Sequence, residues 1–112
     1  MQEPNSTQEE WESLPEREAT RLVLADDPDY TLTKMSAPPC RGPAPHSHPH
    51  KQLVYVLRGS GAMLLGEELI PVKAGSVVEV PPGVPHIMHH VTEDAEWLEY
   101  FTPGREDWRV HG

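Results

Sequence analysis

Histidine is the residue type whose spacing in this sequence points most directly to chemistry. Six of the seven histidines fall into two groups, which are His46, His48 and His50, and then His86, His89 and His90. His46 and His48 are two residues apart, so both imidazoles would point to the same side of an extended strand. The alternative is that the segment 46–50 is a solvated loop.

A fourth donor accompanies the histidines. Gln52 follows His48 by four residues, and His86 follows the rigid turn at residues 81–85. Three imidazoles and a side-chain oxygen suit a divalent Ni, Zn, Fe, Co or Mn ion and leave positions open for water or substrate. Because a neutral amide leaves the ion its full charge, such a site would attract a carboxylate substrate and would favour Lewis-acid chemistry over oxygen chemistry.

The remaining clustered histidines are not expected to be ligands. Pro49 interrupts strand alternation before His50, and His89 would point away from the side of His90. On a regular strand His90 shares a face with His86, where it could support a ligand from behind.

The elements that must position these residues are short strands. A chain of 112 residues and 12.6 kDa is the size of one domain, and 13 prolines with 8 glycines favour turns over long helices. Strand-like runs cover 21–24, 30–35, 52–58, 62–65, 68–72, 76–80, 86–91 and 96–102, and the segments 59–61, 66–67, 74–75 and 81–83 are expected to break them. This pattern predicts an all-β antiparallel sandwich or barrel.

Charge and composition set the domain limits and the expected environment. Residues 1–19 hold six acids against Arg17 and are expected to form a loose acidic arm, while 20–112 form one domain with a short polar tail. A net charge of −9 without a basic stripe argues against a nucleic-acid partner. The acidic start, the lack of a long apolar run and the single Cys40 lead us to expect a soluble cytoplasmic protein that does not bind membranes.

The residues around the histidines resemble the two motifs of the cupin family. His46-x-His48, Gln52 and Gly59 have the spacing of the first motif. Four residues have the spacing of the second motif, in which His90 replaces an Asn: Gly75, Pro81, Gly83 and His86. The resemblance implies a double-stranded β-helix, the jelly-roll barrel of cupins. It also implies a homodimer, which is common among small cupins. In such a dimer the arm with Trp11 would add an edge strand to the partner.

Within cupins, the sequence is most similar to the KdgF-type group. The similarity lies in residues 46–50, 55–57, 73–75, 80–86 and 101–107. That group linearises the 4,5-unsaturated monouronates released from pectin or alginate, so the resemblance implies a metal-dependent enzyme acting on a small anionic sugar acid. It implies His46, His48, Gln52 and His86 as metal ligands. It implies Glu99, Phe101 and Arg105 as catalytic residues, with Glu99 in place of the Asp of the group.

The three catalytic candidates have a consistent chemical interpretation. Glu99 and Phe101 are two residues apart and share a strand face, which can be the barrel interior. We expect Glu99 to transfer a proton, Arg105 to pair with an anionic oxygen and Phe101 to form an apolar wall. Alternatively, Glu99 faces solvent on an edge strand, Arg105 pairs only with residues 106–107, and Phe101 is a core residue.

Two other functions are compatible with the sequence. One is a different metal-dependent reaction on another small acid, by a lyase, an isomerase or a dioxygenase, because one fold hosts many activities. The other is a non-catalytic domain that binds a sugar or another metabolite.

Overall fold

The computed structural model describes residues 12–14 and 19–105, where the regular secondary structure consists of strands only. The strands are β1 (Glu12–Leu14), β2 (Ala19–Asp27), β3 (Tyr30–Ala37), β4 (Cys40–Arg41), β5 (Lys51–Leu65), β6 (Glu68–Lys73), β7 (Val77–Val80) and β8 (His86–Thr102). The predicted all-β fold is therefore confirmed. Within the described residues there is no helix with the length and hydropathy needed to cross a membrane.

All eight strands belong to one antiparallel sheet that curls on itself. Its order is β1-β2-β3-β8-β5-β6, with β4 beside β8 and β7 beside β5. The first half of β5 pairs with β7 and with the end of β8, whereas its second half pairs with β6 and with the start of β8. Side chains from both halves, including Met35, Val54, Met63 and Val72, meet in one buried core. The sheet thus encloses its own core, and the predicted jelly-roll barrel is confirmed.

Two breaks expected from the sequence are wrong. Residues 59–61 do not end a strand, because β5 continues through them from Lys51 to Leu65. Residues 92–95 likewise continue β8 between the two runs predicted at 86–91 and 96–102. The pairing of β5 with β8 shifts register at several points between Val56 and Met63. Such β-bulges bend a strand without ending it, so one strand can pass from one half of the barrel to the other.

Part of the acidic arm joins the sheet. Residues 12–14 pair with 19–21 of β2, and Ala19 is a buried member of β2. The rest of the arm, including Trp11, and the tail from residue 106 lie outside the described residues.

Strand alternation decides which residues of β5 and β8 enter the barrel. From Lys51 to Leu57 the odd positions are exposed, whereas Gln52, Val54 and Val56 are buried. In the second half of β8, residues 95, 97, 99 and 101 are buried. The same two strands therefore present polar groups to the interior and several apolar groups to the outside.

Candidate metal centre and active site

Backbone hydrogen bonds hold the two histidine segments together. The amide of His46 donates to the carbonyl of His86 at 3.0 Å, and the amide of His86 donates to the carbonyl of His46 at 2.8 Å. One turn further along, the amide of Gly83 donates to the carbonyl of His48 at 2.8 Å. Gly83 has φ of 79°, a conformation that favours glycine, and the turn formed in this way directs its amide to His48. Two segments that are distant in sequence are thus fixed side by side.

This arrangement brings the three predicted histidine ligands into one cluster. The ring of His86 lies 4.7 Å from those of both His46 and His48, measured between centroids. One ligand nitrogen from each of the three lies within 4.8 Å of the other two, and His48 and His86 are buried while His46 is exposed. Three imidazoles this close together can bind a metal ion.

Backbone carbonyls orient the two buried imidazoles. Nδ1 of His48 lies 3.1 Å from the carbonyl oxygen of His50, and Nδ1 of His86 lies 2.8 Å from that of Val84. A carbonyl can only accept, so the hydrogen of each neutral ring is on Nδ1 and the metal-binding lone pair is on Nε2. A carbonyl that accepts from the ring nitrogen not used for the metal is a usual way in which a protein orients a histidine ligand.

The electrostatic surroundings favour the neutral form of His48. Burial, followed by the positive charges of Arg105 and His86, lowers the pKa of His48 below its usual value, and the contact with Gln52 partly offsets this shift. Neutral imidazole is the form that binds metal. His48 therefore stays neutral, and able to bind metal, down to a lower pH than an exposed histidine does.

Gln52, the fourth predicted ligand, lies against His48. It is 3% exposed on β5, and its Oε1 lies 3.0 Å from Nε2 of His48. When the hydrogen of His48 is on Nδ1, Nε2 of His48 and Oε1 of Gln52 face each other with lone pairs only. The two atoms then repel each other unless both bind the same cation. Neighbouring ligand atoms around an ion with bonds of about 2.1 Å are roughly 3.0 Å apart in octahedral and roughly 3.4 Å apart in tetrahedral geometry. The residues therefore fit a divalent metal ion.

Glu99 lies inside the barrel beside the histidine cluster. It is 8% exposed on β8, which is flanked by β3 and β5, so the alternative of a solvent-facing acid on an edge strand is wrong. The indole nitrogen of Trp97 donates to Oε2 of Glu99 at 2.9 Å. Glu99, His46, Gln52 and His86 line one cavity.

Phe101 contacts both His48 and Arg105. Phe101 is 1% exposed, and its ring packs edge-on at 5.5 Å from the ring of His48. The guanidinium carbon of Arg105 lies 4.8 Å from the centroid of Phe101, a cation–π contact, and the Arg105 amide donates to Oγ1 of Thr31 at 2.8 Å. The structure thus places Phe101 in the core, the alternative considered from the sequence, with its ring against His48 and Arg105. Residues 106–107, the alternative partners of Arg105, lie outside the described residues.

Most of the cavity wall away from the histidines is apolar. The cavity has an empty volume of about 500 Å³, including space open to solvent. Its apolar lining includes Met35, Met63, Met88 and Val91, with Cys40 beside them.

His89 and His90 lie outside the cluster. The expectation that His90 supports His86 required a regular strand, but the pairing of β8 with β5 shifts between Met88 and His90. At this irregularity Nδ1 of His90 contacts Nδ1 of His89 at 2.8 Å. The irregular strand, rather than sequence spacing, decides where these two rings point.

Sequence reasoning did not identify the role of Trp97. Its side chain is buried, with 4% of its surface exposed. The signal for its contact with Glu99 was the spacing of two residues on one strand, which places both side chains on the same face.

Comparison with known proteins identifies relatives of this fold and site. The family model described as the Cupin domain matches residues 33–101. An RmlC-like cupin from Shewanella frigidimarina is 25% identical, with a TM-score of 0.80 over 88% of this chain and 87% of that chain. KdgF from Halomonas sp. is 25% identical, with a TM-score of 0.79 over 88% of this chain and 92% of that chain. The polyketide cyclase RemF from Streptomyces resistomycificus is 27% identical, with a TM-score of 0.70 over 86% and 75%.

A curated relative matches over a shorter region. An uncharacterised protein from Streptomyces coelicolor is 41% identical over 56 residues. The match covers 50% of this chain and only 53% of the relative, so it spans about half the length of both.

Proposed function

The chain belongs to the cupin family, and from this premise we propose that it is a metal-dependent enzyme that linearises 4,5-unsaturated monouronates from pectin or alginate. The observation that carries the proposal is a single cavity lined by two of the three clustered histidines, His46 and His86, by the neutral Gln52 and by the buried acid Glu99. The similarity to KdgF from Halomonas sp., at 25% identity over nearly the whole of both chains, supports this choice.

The proposed metal ligands are His46, His48, Gln52 and His86. When bound, the divalent ion would supply Lewis acidity and a positive charge that attracts the uronate carboxylate. All four ligands are neutral, so this charge would remain undiminished. The metal is one of Ni, Zn, Fe, Co or Mn, which all accept imidazole and amide donors.

The proposed reaction is an isomerisation that needs no further reactant. The hydroxyl on the anomeric carbon loses its proton, the bond between that carbon and the ring oxygen breaks, and the alkene carbon gains a proton. The product is an open-chain keto acid. Glu99 transfers the proton from the hydroxyl to the carbon, because it is the acid that lines the cavity beside the histidines.

Phe101 and Arg105 have supporting roles in this proposal. Arg105 pairs with an anionic oxygen of the substrate, since its guanidinium stays charged and can donate two parallel hydrogen bonds. Phe101 holds that guanidinium against its ring and limits the entry of water beside His48.

The test is turnover of an unsaturated uronate. Protein stripped of metal is reloaded separately with each candidate ion and given unsaturated galacturonate, and the alkene absorbance is followed against the spontaneous reaction. We expect at least one ion to accelerate its loss. The His48→Ala variant should lose both metal and turnover, whereas His89→Ala, altered outside the cluster, should keep both.

Failure of every metal-loaded sample to exceed the spontaneous rate would contradict the proposal. The same assay on an alginate-derived substrate separates the two possible sources of the uronate.

The apolar cavity wall favours a second candidate function. Met35, Met63 and Met88 offer little hydrogen bonding to a sugar but suit an aromatic or aliphatic substrate. RemF, a polyketide cyclase with a TM-score of 0.70, provides a structural precedent in a related barrel. The second candidate is therefore a metal-dependent enzyme for a more apolar acid. Binding of an aromatic carboxylate without uronate turnover would favour it.

A further inference from the structure

The turn between β2 and β3 holds the segment that follows β8. The amide of Gly104 donates to the carbonyl oxygen of Pro28 at 2.9 Å. Oγ1 of Thr102, the last residue of β8, donates to the carbonyl oxygen of Asp29 at 3.0 Å. Both carbonyls belong to the connection between β2 and β3, which is distant in sequence from the end of β8. This connection therefore fixes the stretch of backbone that leads to Arg105.

Thr31 holds the backbone of Arg105 itself. Its Oγ1 accepts from the amide of Arg105 at 2.8 Å and donates to Oδ1 of Asp26 at 3.1 Å. An amide N–H can only donate and a carboxylate can only accept, so the direction of both hydrogen bonds is fixed. Thr31 is 1% exposed, so water has little access to take the place of its hydroxyl. The hydroxyl of Thr31 thus links β2, β3 and the segment after β8.

The neighbour of Thr31 across the sheet is Phe101, which the guanidinium of Arg105 contacts. Thr31 on β3 pairs in register with Phe101 on β8. The guanidinium carbon of Arg105 lies 4.8 Å from the centroid of the Phe101 ring, and that ring lies 5.5 Å from the ring of His48. The backbone and the side chain of Arg105 are therefore held at neighbouring points, next to a proposed metal ligand.

We propose that Thr31 is a positioning residue, whose hydroxyl holds the backbone of Arg105 so that the guanidinium stays against Phe101 and pairs with the anionic oxygen of the substrate. This inference rests on the proposed function, in which Arg105 binds that oxygen. Two parallel hydrogen bonds from a guanidinium to a carboxylate require a defined geometry. A displacement of about 1 Å can cost about 100-fold in rate, so the backbone that carries Arg105 must be fixed.

The first test is kinetic and uses Thr31→Val, which keeps the shape of the side chain but removes the hydroxyl. We expect the KM for the unsaturated uronate to rise about tenfold with an unchanged turnover number, because Arg105 binds the substrate and does not transfer the proton. Thr31→Ser keeps the hydroxyl and should retain the wild-type KM. The matched control is Thr33→Val. Thr33 is also buried on β3, but its hydroxyl contacts the carbonyl oxygen of Glu99 at 3.5 Å, so this variant should keep the wild-type KM.

A double-mutant cycle separates positioning from a general loss of structure. In the Arg105→Ala background, Thr31→Val should have no further effect on KM, because the group that Thr31 positions is absent. A rise in KM of the same size in both backgrounds would overturn the proposal, since Thr31 would then act independently of Arg105.

Nuclear magnetic resonance tests the same contacts without a substrate. Because the guanidinium lies over the ring of Phe101, the ring current should shift the Nε–H signal of the Arg105 side chain upfield. In Thr31→Val this shift should be lost. Hydrogen exchange at the Arg105 amide should also become at least about tenfold faster, while exchange at the amide of Val54 in the core stays constant.

The two measurements distinguish failure of this proposal from failure of the proposed function. An unchanged Arg105 signal and unchanged amide exchange in Thr31→Val would overturn the positioning role, even with full uronate turnover by the wild type. If the wild type turns over no uronate but both signals change as expected, the proposed function is wrong and the positioning of Arg105 by Thr31 is supported.

Discussion

Glu99 is the residue on which the proposed proton transfer depends. Glu99→Gln keeps the size of the side chain and an acceptor for the Trp97 N–H, but it cannot carry the proton. We expect the turnover number to fall by about 10² to 10⁴, the range typical of a lost general acid–base, with metal affinity unchanged. Steady-state kinetics and metal titration measure the two effects. Wild-type turnover by this variant would show that Glu99 does not transfer the proton.

Trp97 is expected to position Glu99. Trp97→Phe removes the donor to Oε2 at 2.9 Å while keeping an aromatic ring in the buried site. The turnover number should fall about tenfold while KM and metal affinity stay constant, because one charge-assisted hydrogen bond to the acid is lost. A rise in KM without a change in turnover would indicate a role in substrate binding instead.

Gln52 controls the charge of the metal centre. Gln52→Glu replaces a neutral donor by an anionic one, so a bound divalent ion keeps only one net positive charge. We expect tighter metal binding and a KM for an anionic substrate that is about tenfold higher, because a weaker field attracts the carboxylate less. Metal titration and KM measurement test both parts.

The matched control for this change is Lys51→Gln on the surface. It alters the chain's net charge by the same amount, from −9 to −10, without entering the barrel. Equal effects of the two variants on KM would show that overall charge, rather than the ligand, is responsible.

At the scale of strands and turns, substitutions at two glycines distinguish the cost of backbone strain from the cost of a steric clash. Gly59 and Gly75 have φ of 88° and 94°, a region that L side chains rarely adopt. A Cβ on Gly59 would lie 2.5 Å from the Cα of Ala95, whereas a Cβ on Gly75 meets nothing within 4 Å. Gly75→Ala should therefore cost about 1 kcal/mol from strain alone. Gly59→Ala should cost roughly 3 kcal/mol, because β5 must also move away from β8.

Urea denaturation at equilibrium measures both free energies of unfolding. If both variants lose the same free energy of unfolding, the close approach of β5 to β8 at Gly59 adds no cost to that of backbone strain.

For the molecule as a whole, metal binding should stabilise the barrel. The proposed ligands come from the loop before β5, from β5 itself and from the start of β8, so an ion would crosslink elements distant in sequence. At a free metal concentration of 100 times Kd the gain is about 2.7 kcal/mol. For a domain of this size the melting temperature should rise by roughly 10 °C.

Differential scanning calorimetry with and without a chelator tests this expectation. The His48→Ala variant should show no metal-dependent shift, while a variant with both His89 and His90 replaced by Ala should show the full shift. A shift that survives in His48→Ala would place the stabilising metal elsewhere.

The sequence by itself determined the fold class and the members of the histidine cluster. Both depend on local rules: turn residues at short intervals predict strands, and the spacing of His46 and His48 indicates a shared direction. The resemblance of the segment 80–86 to a cupin motif then linked His86 to them. The structure brings these three imidazoles together through the paired backbones of His46 and His86.

Only the tertiary structure decided the continuity of the long strands, the burial of Glu99 and the contents of the outer face. Strand alternation assigns Glu99 and Tyr100 to opposite faces but does not say which face is inside, because that depends on the strands that pair on either side. The passage of β5 through residues 59–61 depends in the same way on the register of β8. These features arise from contacts between residues far apart in sequence, which local spacing does not encode.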